Sequence, residues 1–455
     1  MTRFRSVDPS TGALVAEFPE ASSREIDAGL ASAAAGFRRW SALPVSERAG
    51  HLRSLARALR ATRESHAHTM AEEIGKPLTQ GLGEVDKCAH ACDYAADHAE
   101  QWLAPETVAT EARSCTVTRE PLGPVLAIMP WNFPFWQLVR FGASSLAAGN
   151  PIVLKHAPNS PRCALAIAAA FAEAGFPDGV LVNLFAPVEA VPSMIADPRI
   201  AAVTLTGSTR AGRAVAEACG RSLKPSVLEL GGSDPFVVLD DADLDAAART
   251  AALARLQNNG QSCIAAKRFV VVRSVADAFV ERFRHELASA RTGDPRDPAT
   301  TLGPMARLDL RDELHRQVTA TVAAGARCAL GGKVPDQPGF WYPPTLLLDP
   351  PDTSPGWTEE TFGPAAVVRV VADEVEAAQV ANHAQYALGA AVFTADPERA
   401  ARFARGLRAG GVFVNALVRS DPRLPFGGIG DSGWGRELGR DGMWSFTATR
   451  SVWIS

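Results

Sequence analysis

From about residue 123 onward the chain keeps one rhythm: short apolar runs alternate with amphipathic helical segments. GPVLAIMPW (123–131), NPIVLK (150–155), VLVNLF (180–185), IAAVTLTG (200–207) and PSVLELGG (225–232) read as buried strands. Between them, 160–175 reads as a helix capped by Ser160, started by Pro161 and stopped by Gly175. GGSDP (231–235) breaks the periodicity. The rhythm then resumes in PFVVL, RFVVV, AAVVRVV, AAVFT and GVFVNA, with helices over 242–257, 275–290, 306–324, 373–384 and 396–408. Alternation of this kind implies parallel strands joined by right-handed helical crossovers, an α/β doubly wound sheet. Two such domains follow one another. The first hundred residues read mainly as helices, over 23–39 and 46–73. SCTVTREP (114–121) and the tail TATRSVWIS (447–455) read as orphan strands that pair with each other or with another subunit.

Composition narrows the function classes. With 47% apolar residues in 455, the chain buries a large core without disulfides or a structural metal. Forty-six basic against 50 acidic residues, net −4, argue against nucleic acid as the main partner. Seven scattered cysteines, an odd and sparse set, suit a reducing, cytoplasmic setting rather than a secreted scaffold. We expect no signal peptide, since MTRFRSVDPSTG lacks an apolar core, and no membrane span, since no apolar run approaches about 18 residues.

Several short matches fail on context. Gly428-Ile-Gly430-Asp-Ser-Gly433 fits a dinucleotide fingerprint but lacks the βαβ unit that must follow. GDSG (430–433) imitates a serine-protease nucleophile in a chain that is not all-β. Asp241, Asp243 and Asp245 imitate a calcium loop, but Ala246 and Ala252 stand where Gly and Glu are needed, so a helix start is the better reading. Cys88, His90 and Cys92 have no second ligand pair for zinc. No metal site is expected.

Four segments at element ends remain: PWNFP (130–134), ELGG (229–232), NNGQSC (258–263) and EETFGP (359–364). They offer a thiol, carboxylates and a side-chain amide where open α/β sheets build their sites. Together with PFGGxxxSGxGRExG (425–439), this set resembles the aldehyde dehydrogenase superfamily over nearly the whole chain. WNFPFWQLVR, LKHAPN, ELGGSDPF and SDPRLPFGG are most similar to the bacterial NAD(P)-dependent succinate-semialdehyde dehydrogenases. The resemblance implies two Rossmann-like doubly wound domains with a small β oligomerisation unit. We place a cofactor-binding domain at 1–113 with 127–232, a catalytic domain at 233–430, and oligomerisation strands at 114–126 with 431–455.

An aldehyde yields hydride only after a nucleophile has made it tetrahedral, and a thiol serves because the resulting thioester hydrolyses readily. Cys263, in a loop marked by Gly260 and Ser262, is the candidate nucleophile. The oxyanion needs preorganised donors. Asn132 and, as in the family, the backbone N–H of Cys263 suit it. Glu229 is the candidate base that activates water. Its presence favours hydrolysis, because relatives that pass the acyl group to coenzyme A generally lack it.

The resemblance also implies a cofactor cradle. Lys155 matches the lysine of the adenine ribose. Gly207 and Ser208 match the turn opening a helix under the pyrophosphate, although Ser208 also fits a plain helix cap. Glu360 and Phe362 match the residues at the nicotinamide ribose and ring, with Trp131 and the backbone of Leu230 completing the set. Many NAD-specific relatives carry a glutamate three residues after the lysine; here that residue is Pro158, so the repulsion of a 2′-phosphate is absent. Lys155 with His156 is expected to support the phosphate, making NADP+ the expected cofactor and NAD+ the alternative. For a substrate ending in carboxylate, Arg140, eight residues after Asn132, is the expected cation, with Ser420 a second contact; a core-rim role for Arg140 is the alternative. Gln257 stands where some relatives have another arginine, leaving Arg423 as a substitute. Trp136 and Phe135 suit a tunnel wall for a longer or more hydrophobic aldehyde. The expected substrate is succinate semialdehyde, with glutarate semialdehyde or a broad range of aldehydes as alternatives, in a homodimer or homotetramer. A non-catalytic binding protein is the remote alternative, opposed by the presence of Cys263, Glu229 and Asn132.

Overall fold

The computed structural model describes residues 4–455. Its centre is two sheets. In the first, the spatial order is Gly433–Trp434, Ser226–Glu229, Ala202–Thr206, Val125–Ile128, Ile152–Lys155 and Leu181–Asn183. All run parallel except Gly433–Trp434. Val125, Ala127, Ile152 and Leu154 face one helical layer, while Leu126, Val153, Val203 and Leu205 face the other. Strands covered on both faces read as unbroken apolar runs, which explains the pattern seen in the sequence.

The second sheet has the order Arg327–Leu330, Thr345–Leu348, Ala365–Val371, Ala266–Val272, Asp234–Val238, Gly389–Phe393 and Gly411–Val414, with only Arg327–Leu330 antiparallel. Its residues also divide between two apolar layers: Phe236, Phe269 and Phe393 on one face, Val237, Val270 and Val392 on the other.

The two orphan strands pair with each other. Ser114–Pro121 and Thr447–Ile454 are antiparallel over eight residue pairs, and Glu106–Thr107 adds a third strand. Within the stretch 431–455, Gly433–Trp434 instead extends the first sheet beside Glu229. The N-terminus differs from expectation: Phe4–Asp8 and Ala13–Phe18 form a hairpin, held by Phe4 stacked on Phe185. The expected helix over 46–73 is two, Val45–Ala61 and Arg63–Ile74, broken at Thr62, whose hydroxyl donates back to the Ala58 carbonyl. Ser160 is not a side-chain cap. The Glu73 carboxylate accepts from the Arg162 and Cys163 amides instead, at 2.9 and 2.8 Å. Asp243 does cap its helix, accepting from Asp245 and Ala246.

Strand order places the site. From Val125–Ile128 the chain builds outward through Ile152–Lys155 to Leu181–Asn183, then returns to add Ala202–Thr206 and Ser226–Glu229 on the other side. The reversal opens a crevice at the carboxyl ends of these strands, the usual binding place in such sheets.

Candidate active site

At the switch point, Asn132 follows Val125–Ile128, Lys155 ends its strand, Gly207 and Ser208 follow Ala202–Thr206, and Glu229 ends Ser226–Glu229. From the second sheet come residues just before strands: Cys263 before Ala266–Val272, and Glu360 and Phe362 before Ala365–Val371. The carboxyl ends of one sheet thus meet the amino ends of the other.

The nucleophile loop is built by an unusual backbone. Asn258, Asn259 and Gly260 lie consecutively in the left-handed region, with φ of 54°, 57° and 73°. Such a conformation costs about 1–2 kcal/mol for each non-glycine residue, and the two asparagine amides offset it. Asn258 Nδ2 donates to the carbonyls of Asn132 and Gln261 at 2.7 and 3.0 Å. Asn259 Nδ2 donates to Gly75 and Pro304, and its Oδ1 accepts from Gly303. Lys267 Nζ then holds the carbonyls of Ser262 and Cys263 at 3.0 and 2.8 Å. Of the seven free cysteines, only Cys263 and the exposed Cys328 are not buried. Burial pushes the Cys263 thiol up to about 12, against the pull of Arg140 and Lys267.

Asn132 Nδ2 donates to the Gln261 carbonyl at 3.0 Å, two residues before Cys263, so its amide stands beside the loop with one N–H to spare. Glu229 is 1% exposed, and both its carboxyl oxygens lack hydrogen-bond partners among the described residues. Burial, then the charge of Glu437, drives its pKa well up, and Arg140 and Arg436 only partly oppose them. Its proton is therefore held more tightly than that of an exposed carboxyl. The two glycines after it permit the close approach of the sheets: a Cβ on Gly231 would lie 2.5 Å from Glu360 Oε2, and one on Gly232 would lie 2.5 Å from the Cys263 carbonyl oxygen. Gly232 N–H donates to Glu360 Oε1 at 3.1 Å, and Lys267 Nζ stands 3.4 Å from that oxygen.

On the cofactor side, Lys155 is 5% exposed, and among the described residues its ammonium has only the His156 carbonyl, at 3.4 Å, as a hydrogen-bond partner. Burial lowers it to about 8, with Glu189 and Glu20 pulling the other way. The Ser208 hydroxyl accepts from the Ala211 amide and so caps the helix Thr209–Arg221. The amides of that first turn remain available to an anion. Leu230 is buried, with its N–H on the Ser432 carbonyl. Trp131 and Phe362 meet edge-on at 5.8 Å.

His156 corrects the sequence expectation. It is fully buried; Nε2 lies 3.1 Å from the Pro134 carbonyl, and Nδ1 meets the Ala157 amide and the Ser160 hydroxyl. Burial lowers it to about 4, so it is neutral and has no charge for a phosphate. It fastens the lysine turn to PWNFP. Pro158 stays partly exposed, and its carbonyl accepts from the Arg5 amide.

Comparison with known proteins agrees with this geometry. The aldehyde dehydrogenase family matches residues 1–452. The chain belongs to the aldehyde dehydrogenase family. It is 46% identical, over 98% of its length and 97% of the relative's, to an Escherichia coli protein named succinate semialdehyde dehydrogenase for NAD(P)+. It is 45% identical, over 99% of both chains, to a Mycobacterium tuberculosis protein named succinate-semialdehyde dehydrogenase for NADP+. A Streptococcus pyogenes succinic semialdehyde dehydrogenase, solved with NADP+, superposes with a TM-score of 0.97 at 36% identity over 99% of each chain.

Around Arg140, this aldehyde dehydrogenase is more crowded than the sequence implies. Arg140 is buried, its Nε paired with Glu437 and its Nη2 donating to the Thr206 hydroxyl at 3.2 Å. Arg140 is therefore not the free cation that the sequence suggests, though its Nη1 has no partner among the described residues. Burial disfavours its charge, but Glu437, Glu229 and Cys263 outweigh that and raise its pKa. Trp136 Nε1 donates to Ser420 Oγ at 3.1 Å. Phe135 turns away into the helical core, 4.7 Å from the His66 ring. Arg423 is spent on Asp421 through two hydrogen bonds, 2.8 and 2.6 Å, and is 63% exposed. Sequence reasoning missed Asn258, Asn259, Lys267 and Glu437. The signal for the first two is the run Asn-Asn-Gly, the residues most tolerant of left-handed backbone.

Proposed function

We propose that this aldehyde dehydrogenase oxidises succinate semialdehyde to succinate with NADP+, through an acyl-enzyme on Cys263 that water hydrolyses. The observation that carries the reading is that the Asn132 amide lies on the Cys263 loop, Gly232 just after Glu229 abuts the Cys263 carbonyl, and the Arg140 charge acts on both Cys263 and Glu229. The names of the Escherichia coli and Mycobacterium tuberculosis relatives support the substrate and cofactor.

Cys263 Sγ, its proton passed to water, adds to the aldehyde carbon, whose oxygen becomes an oxyanion; collapse of this adduct expels the carbon-bound hydrogen as hydride and leaves a thioester. The spare N–H of Asn132 and the N–H of Cys263 donate to it; such donors are worth about 2.7–4 kcal/mol each in comparable sites. The nicotinamide cofactor, when bound, supplies the hydride acceptor. Glu229, once ionised, takes a proton from the water that attacks the thioester, and the thiol leaves. Lys155, the helix amides after Ser208, and Glu360 with Phe362 and Trp131 hold the cofactor. With Pro158 in place of an acid and the Lys155 ammonium without an ion-pair partner among the described residues, a 2′-phosphate would meet a cation and no adjacent acid.

The three-stranded sheet serves subunit contact in a homo-oligomer. Trp453 and Ile454 on its edge strand are 50% and 51% exposed, an apolar surface that a partner would cover. The compartment is the cytoplasm, where the thiol stays reduced. No helix among the described residues is long and apolar enough to cross a membrane.

The test is NADPH absorbance with succinate semialdehyde, glutarate semialdehyde and aliphatic and aromatic aldehydes, repeated on Cys263→Ala and with NAD+. The expected result is highest kcat/KM for succinate semialdehyde with NADP+, and none in the variant. A stronger response to aromatic aldehydes, or to NAD+, overturns the corresponding part.

A further inference from the structure

The long helix Leu78–Trp102 passes beside the substrate end and brings one lysine to it. Lys87 Nζ donates to Ser420 Oγ at 2.7 Å and lies 4.1 Å from the centre of the Trp136 ring. Three elements thus converge on one hydroxyl: Lys87 from this helix, Trp136 from Pro134–Ala148, and Ser420 from the loop before Pro425.

Charge accounting singles out the lysine. Each carboxylate near it is already matched. Glu84 pairs with Lys76 and accepts the amides of Phe135 and Trp136. Asp421 is held by Arg423. Glu437 is held by Arg140. Arg140 and Glu437 therefore cancel, whereas Lys87 has no carboxylate within ion-pair distance among the described residues. An inward ammonium without a counter-ion is costly to keep, unless a ligand supplies the anion. Burial and the neighbouring charge of Arg140 lower it to about 8, against the smaller pull of Cys88, Glu84 and Asp421.

The hydrogen bonds point the same way. Ser420 Oγ receives two N–H groups, from Lys87 and Trp136, so its own proton is turned outward. It meets no acceptor among the described residues. Lys87 likewise keeps N–H groups beyond the one given to Ser420. An ammonium and a hydroxyl donor side by side match the two oxygens of one carboxylate. Arg140 is electrostatically coupled to both Cys263 and Lys87, so the lysine and the nucleophile share one charged neighbour.

We propose that Lys87, with Ser420 held by Trp136, is the specificity-determining anchor for the substrate's terminal carboxylate. The inference rests on the semialdehyde reading above. It makes Arg140 a neutral-pair wall near the reacting carbon, and Lys87 the unbalanced charge that selects an acid-bearing aldehyde over a plain one.

The test compares kcat/KM for succinate semialdehyde and for butanal, with NADP+, in the wild type and in Lys87→Met and Lys87→Arg. The wild type must prefer the acid-bearing aldehyde; if it does not, the functional reading fails and the anchor with it. Given that preference, Lys87→Met is expected to lower the ratio about 10- to 100-fold, mainly through KM, as befits loss of a charge-assisted contact. Lys87→Arg is expected to restore much of it, which lost packing would not explain. An unchanged ratio in Lys87→Met overturns the proposal while leaving the function standing. Should Lys87→Met fail to fold, Ser420→Ala must lower the same ratio, and an unchanged ratio there overturns it equally.

Discussion

At the scale of single residues, the site is governed by buried ionisable groups whose charges are matched or withheld. Arg140 and Glu437 illustrate the first case. Truncating Arg140 to Ala strands a buried carboxylate and is expected to cost about 3–5 kcal/mol of stability, readable as a lower midpoint in urea; a variant as stable as the wild type would contradict the pairing. Cys263 and Glu229 illustrate the second. Burial raises both, the thiol to about 12 and the carboxyl well above the usual carboxylate range. Nucleophile and base each act in the deprotonated form, so with both groups raised kcat/KM is expected to climb as pH rises from neutral into the alkaline range, and a profile falling over that range would refute the assignment. The chemistry of Cys263, Glu229 and Asn132 was legible in sequence because each sits in a short motif. The pairing of Arg140 was not, since its partner Glu437 lies 297 residues away. His156 misled for a related reason: a histidine beside a lysine looks cationic until burial and two engaged ring nitrogens are known.

At the scale of elements, the strands were legible because both faces of a parallel strand are buried and the apolar runs are unbroken. AAVVRVV, for example, is observed over Ala365–Val371 as read. The hairpin Phe4–Asp8 with Ala13–Phe18 was not legible: Ala13–Phe18 is largely exposed, so no buried stripe marks it. Helix ends were harder still. The cap of Pro161–Glu173 comes from Glu73, on another helix, which no local pattern reveals. Glu73→Ala is expected to destabilise by about 1–2 kcal/mol, measured as a lower melting temperature, and an unchanged midpoint would argue against the cap. The nucleophile loop makes the sharper prediction. Gly260 has φ of 73° and packs against the backbone of Gly363. Gly260→Ala must shift the loop, and misplacement of about 1 Å can cost about 100-fold. A large fall in kcat, with cofactor KM little changed, is the expected kinetic signature.

At the scale of the molecule, two α/β sheets meet end to end, so that the carboxyl ends of one supply Asn132 and Glu229 and the amino ends of the other supply Cys263 and Glu360. Neither sheet holds the chemistry alone. The glycines after Glu229 let the two meet, and the tail strand Thr447–Ile454 folds back onto Ser114–Pro121. Trimming the last five residues removes Trp453 and Ile454 and is expected to weaken assembly, measured by light scattering; an unchanged mass would leave that edge without a role in association. The claim that joins these scales is that Cys263 carries the acyl group and Glu229 releases it. Rapid mixing of Glu229→Gln with NADP+ and succinate semialdehyde, followed by mass spectrometry of the Cys263 peptide, tests it directly. One equivalent of NADPH per site and a succinyl group on Cys263 is the predicted result; full turnover without an acylated Cys263, or acylation elsewhere, would contradict it.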